Sequence, residues 1–172
     1  MRAGSLAGFP APDGVDLPQP ANLLALLARV EAVSQPWSRF AHALMADGIL
    51  SPQWRELVVL RVGWRQHCDY VLSGHLPVAR HAGLSEDQIA AALGQPGTET
   101  SDLPLLASVD ELLSLGRISE ATLGQLKELL SDEEIIELTV LAGQYVLVSM
   151  VCKTFALRSE ASSRQVGPHR AP

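Results

Sequence analysis

Cysteine is scarce in this sequence: there are two, Cys68 and Cys152, and they lack the close spacing of a CxxC pair. A disulfide-stapled scaffold is thereby excluded, and a reduced, cytoplasmic compartment is the expectation. Basic residues are also few, 13 Lys and Arg against 19 Asp and Glu, for a net charge of −6. They are scattered, whereas a surface that tracks phosphates needs them clustered, so no nucleic-acid partner is expected. No run approaches the roughly 20 apolar residues of a membrane helix. The longest, around Tyr145 to Val151, is broken by Ser149 and followed by Lys153, so no membrane partner is expected either. Residues 1–20 lack the apolar centre of a secretory signal. Gly-rich phosphate loops are missing, and His42, His67 and His81 have no partner at metal spacing. Neither a cofactor nor a metal ion is therefore expected. Strand signals are weak, because no Asn-Gly or Asp-Gly pair sits between alternating apolar flanks.

What the sequence does have is apolar content. Hydrophobic residues make up 47% and charged residues 19% of 172, enough to bury the core of one domain. The chain divides into a Pro- and Gly-rich arm over 1–20, a helical domain over 21–158 and a disordered tail over 159–172. Capping signals divide the domain into about seven or eight helices, an all-α fold. Asn22 caps the first, Gln35-Pro36 opens the second with Pro at its first position, and Ser51-Pro52 opens the third. Asp69 caps the fourth, which stops at Gly83. Ser85 with Gln88 and Ser131 with Glu134 have capping-box spacing. Pro104 to Gly116 and Ser119 to Leu130 frame two more helices, and the last runs toward Leu157. Arg55–Leu60 and Ile136–Leu141 read alike behind a Ser cap, as a duplicated helical hairpin would, or as capped apolar helices in general do.

The chemistry-bearing residues lie between Ser51 and Ala92. Cys68 and His75 are seven apart, nearly two helical turns, so they share one face. Cys68 sits where the fourth helix begins, and free N–H groups there lower a thiol's pKa. Glu56 lies in an apolar stretch of the third helix. If the two helices form an antiparallel hairpin turning at Gln66-His67, Glu56 lies nearer His75 than Cys68. A carboxylate beside an imidazole in an apolar setting orients it for proton transfer. Each residue also has a plainer role: Cys68 as a small buried hydrophobe, His75 as a core histidine, Glu56 as a first-turn acid. Tyr70 and Tyr145 can offer hydroxyls to a substrate oxygen, or simply pack. Arg61 and Arg65 can hold a substrate carboxylate, or face solvent. Trp37, Trp54 and Trp64 read as core or interface anchors.

The stretch resembles the carboxymuconolactone decarboxylase family, which includes the alkylhydroperoxidase D-like proteins. The resemblance rests on Arg55-Glu56-Leu57, Cys68, His75 and Val78-Ala79-Arg80-His81-Ala82-Gly83-Leu84. Glu56 is 12 residues before Cys68 and His75 seven after it, as in the thiol-bearing branch. Gly143-Gln144-Tyr145-Val146-Leu147-Val148 is similar to the second-half segment of longer members, so the likeness spans roughly 36–157. The departures are instructive. The second cysteine of the family's CxxC pair is Val71 here, and Cys152 is far off in sequence, so a dithiol cycle is not expected. Tyr70-Val71-Leu72 replaces a Tyr-Glu-Trp, and Val146 replaces a His, which makes the pocket more apolar.

The resemblance implies an enzyme with Glu56, His75 and Cys68 as catalytic residues and Tyr70, Tyr145, Val71 and Arg61 as substrate-binding ones. The substrate class is a small organic acid, a lactone or a polycyclic biosynthetic intermediate, and the reaction decarboxylation, isomerisation, dehydration or cyclisation. The alternatives are a one-Cys thiol-dependent peroxidase and a non-catalytic ligand-binding oligomer. The family likeness also implies a homo-oligomer, a trimer or hexamer.

Overall fold

The computed structural model describes residues 21–96 and 102–157. The N-terminal arm, the tail and the Asn22 side chain lie outside the described residues. Eight α-helices and one π-helical turn make up the described residues, with no strand among them. They are α1 (Ala21–Leu27), α2 (Glu31–His42), a π turn (Ala43–Asp47), α3 (Pro52–Arg65), α4 (Asp69–His81), α5 (Glu86–Ala92), α6 (Leu103–Leu115), α7 (Glu120–Leu126) and α8 (Asp132–Thr154).

Helix α3 is the centre of the domain. Ser51 starts it by accepting the Trp54 N–H at 3.2 Å, and Pro52 takes the first turn, where its missing N–H costs nothing. Leu57, Val58, Val59, Leu60 and Val62 follow, all fully buried. Each such side chain contributes roughly 1.5–3 kcal/mol through burial. An interior helix with that load must be covered all round, and α4, α5, α6 and α8 pack against it. Both expected capping boxes form, at Ser85/Gln88 and Ser131/Glu134. Gly116 closes α6 with φ +70, where a side chain would be strained.

Four expectations need correction. Pro36 lies inside α2 rather than at its start: the helix begins at Glu31 behind Val30, with no side-chain cap. Cys68, not Asp69, occupies the cap position of α4, and Asp69 is its first residue. The helix after Ser119 ends at Leu126, four residues early. Helix α8, at 23 residues, is long and apolar enough by composition to cross a membrane, although no such stretch was expected. Half of that stretch is buried inside the domain, where α8 lies against α3, α4 and α6.

The two similar segments lie on α3 and α8, which pack against each other. Their acids have different work. Glu137, at the position matching Glu56, accepts the backbone N–H groups of Ile49 (2.6 Å) and Leu50 (3.3 Å), and so ties α8 to the loop before α3.

Candidate active site

Glu56 is completely buried on α3, one residue after Arg55. The α3–α4 hairpin turns through Gln66 and His67, the latter left-handed at φ +49. That reversal lays α4 back along α3 and sets His75 opposite Glu56. Glu56 Oε2 stands 2.8 Å from His75 Nδ1. Its other oxygen, Oε1, has no hydrogen-bond partner and lies 3.9 Å from Arg55 Nε.

On its far side, His75 Nε2 is 3.0 Å from the Tyr145 hydroxyl of α8. The two rings meet edge to face, with centroids 5.1 Å apart and planes at 89°. The Tyr145 hydroxyl also reaches Met45 Sδ in the π turn, at 3.4 Å. A carboxylate at Glu56 can only accept, so the matching uncharged imidazole tautomer carries its proton on Nδ1 and accepts from Tyr145 at Nε2. Burial, and then the negative charge of Glu56, push the Tyr145 phenol well above its usual range, with Arg55 offsetting part of the rise. Tyr145 therefore stays protonated until a stronger base than water draws on it.

His75 and Tyr145 open onto a cavity of about 160 Å³. Its walls come from α1, α2, the π turn, α4 and α8, and are mostly apolar, with Leu44, Val71 and Val148 among them. Tyr70 lines it too, and its hydroxyl accepts the Leu23 N–H at 3.2 Å. Tyr70, Val71, His75 and Tyr145 thus meet around one hollow, with Glu56 directly behind His75.

Arg61 is elsewhere. Its guanidinium makes a two-pronged bond to Asp110 at 2.8 and 2.5 Å, donates to the carbonyls of Ala91 and Ala92, and lies 4.6 Å over the Trp64 ring. It fastens α3 to α5 and α6 with four of its five N–H groups, and does not line the cavity. Cys68 does not line the cavity either. It is buried against Cys152 of α8, despite their distance in sequence. Lys153 helps to hold this end of α8 there by donating to the Gln66 carbonyl at 2.9 Å. The Cys152 thiol, donating toward Cys68, pulls the Cys68 thiol down to about 6 against the opposing effect of burial, and the Val71 N–H at the head of α4 adds to the fall. Cys152 is pushed up by the same bond and by burial.

Two cavity residues were not foreseen as functional. Gln144 is 6% exposed, lines the cavity, and its amide nitrogen has no hydrogen-bond partner. Trp37 also lines it, and its indole nitrogen likewise has none. A lone amide within the apolar run of α8 was the available signal for the first. For Trp37 the sequence carries none beyond its bulk.

The described residues are all-helical, and the central hairpin brings a carboxylate and an imidazole to the edge of an apolar hollow. Residues 31–103 match the model of the carboxymuconolactone decarboxylase family. That segment carries Glu56, Cys68 and His75, and ends before α8. No curated protein matches the chain.

Proposed function

We propose that the protein is a carboxymuconolactone decarboxylase-like enzyme performing acid–base chemistry on a small organic acid, lactone or related carbonyl compound. The observation that carries this reading is the unbroken line Glu56–His75–Tyr145, with contacts of 2.8 and 3.0 Å, ending at an apolar cavity. Glu56 holds the Nδ1 proton and stabilises the imidazolium. His75 Nε2 takes a proton, either from the substrate or through Tyr145, and returns it to the carbon or oxygen that inherits the electrons. The dry walls strengthen each of these interactions. Tyr70 and Val71 shape the hollow, while Cys68 stays outside the relay. Decarboxylation, isomerisation, dehydration and cyclisation all need this equipment and little more. The test is exchange of substrate-class α-hydrogens for deuterium in heavy water. Catalysed exchange is expected, and a protein indistinguishable from buffer would contradict the proposal.

The Cys68–Cys152 contact favours a second reading, thiol-dependent peroxidase chemistry. A hydroperoxide would transfer one oxygen to the Cys68 thiolate and leave as the alcohol. Cys152 would then displace water from the sulfenic acid to close a disulfide. Unlike the expected one-Cys scheme, this one needs no external resolving thiol. Alkylation of Cys68 should follow a titration with a midpoint of about 6. The rate should rise with pH through that midpoint and level off above it, because a lowered pKa leaves the thiolate dominant at neutrality. In Cys152→Ala the midpoint should move up toward the ordinary thiol range. Mass spectrometry after mild hydroperoxide treatment should show the disulfide, and two unmodified thiols would remove the reading.

The assembly is proposed to be a homo-oligomer. Ile136, Val140, Leu147 and Met150 form an exposed apolar stripe along α8 at alternating four- and three-residue spacing, with Gly143 at its centre. The stripe is self-complementary: Ile136 and Met150 lie equally far from Gly143, so a second copy can pair antiparallel across a twofold axis. A twofold contact builds a dimer or a hexamer, but not a trimer alone. Sedimentation should show Leu147→Glu shifting the protein to a smaller species. An unshifted value would place the contact elsewhere.

A further inference from the structure

Helix α4 lines the cavity with Tyr70, Val71, Gly74, His75 and Val78. At 3.6 residues per turn these five fall within an arc of roughly 140°, and Gly74 lies in line between Tyr70 and Val78, about one turn from each. Any side chain at residue 74 would therefore project at the hollow. Tyr70 is buried and Val78 exposed, so the row climbs from floor to rim past His75.

Nothing in the fold asks for a glycine at this point. Gly63 and Gly94 answer to packing: a Cβ on the first would press on Leu72 at 3.0 Å, and one on the second would collide with the Trp64 ring. Gly83 answers to a φ of +92. Gly74 has neither constraint, because a Cβ built on it meets no atom within 4 Å and its φ is not positive. It lies inside α4, where a glycine lowers the folding equilibrium about two- to fivefold relative to alanine. What the missing side chain leaves free is space along the cavity wall.

We propose that Gly74 is the specificity-determining position of the cavity. Its bare backbone is a strip of wall beside His75 against which the face of a single-ring ligand rests, a close approach that only glycine allows. The hollow, at about 160 Å³, is near the roughly 150 Å³ of an apolar cavity that takes up benzene. The proposal rests on the acid–base reading of the same cavity and gives its substrate a size and a pose: one ring, laid on α4, with the reacting atom toward His75.

The experiment follows benzene and acetophenone by calorimetry on the full chain, beside urea unfolding of each ligand-free variant. Gly74→Ala should raise the urea midpoint, as helix propensity dictates. It should also weaken acetophenone binding about fivefold or more, the lower end of the cost of one overpacked methyl group. Benzene, being smaller, should lose less. Gly74→Leu should abolish binding of both, and Gly74→Met serves should Gly74→Leu fail to fold. Gly124 is exposed on α7, and a Cβ there also meets nothing. Gly124→Ala should therefore raise the midpoint and leave both affinities as in the wild type. A wild type that binds neither compound, a Gly74→Leu protein that binds acetophenone as tightly as the wild type, or a lowered urea midpoint in Gly74→Ala would each overturn the proposal. Deuterium exchange at the acetophenone methyl group, followed in parallel, separates the two ideas. Binding that depends on residue 74 without exchange supports the glycine strip and refutes the relay. Exchange undiminished in Gly74→Leu does the reverse.

Discussion

Replacing His75 with Gln should reduce turnover about 10²- to 10⁴-fold, the usual contribution of a positioned acid–base group. That corresponds to about 3–5 kcal/mol of transition-state stabilisation. His75 touches both the buried carboxylate and the phenol, at 2.8 and 3.0 Å, so its loss breaks the line at its middle. The Gln amide keeps some polarity at the site but cannot carry a proton between two partners. Steady-state kinetics should show the loss in kcat, with KM little changed, because the cavity walls stay in place. A wild-type kcat in His75→Gln would make the imidazole a packing residue and end the acid–base account.

The second large effect is expected at Glu56. Glu56→Gln keeps the volume and an oxygen able to accept from Nδ1–H, but removes the charge that stabilises the imidazolium. It also gives the ring freedom to adopt the opposite tautomer. Turnover should fall by about 10²–10⁴, the scale seen when a buried carboxylate behind a catalytic histidine is neutralised. Glu56→Leu should do the same and also lower stability by about 1–3 kcal/mol, since Nδ1–H then has no acceptor in a buried setting. The pair of variants separates roles. An acid that only supports the fold would lose stability in Glu56→Leu while Glu56→Gln kept full kcat, measured by urea unfolding beside turnover.

Local sequence carried much of this site. The hairpin of α3 and α4 follows from caps, an apolar period and a turn at Gln66-His67, and those features bring residue 75 opposite residue 56 by helix geometry alone. The contact between His75 and Tyr145, 70 residues apart, depends instead on how α8 crosses α3 and α4, and no short-range pattern encodes a crossing. The same packing sets Cys152 beside Cys68, which spacing alone argued against. Arg61 reads as a free cation until Asp110 arrives on α6 to claim it. Pro36 reads as a helix start because proline favours first turns. Here the chain upstream of it is already helical, and α2, with no buried residue, tolerates the lost bond at the surface.

Long-range nitrogen–proton correlation NMR on His75, labelled with ¹⁵N and observed near neutral pH, tests the carboxylate–imidazole–phenol line most directly. The account predicts that the uncharged form of the ring carries its proton on Nδ1 and leaves a bare, accepting Nε2, with a tautomer balance that shifts in Glu56→Gln. A proton resident on Nε2, or a ring indifferent to the charge at residue 56, would contradict it.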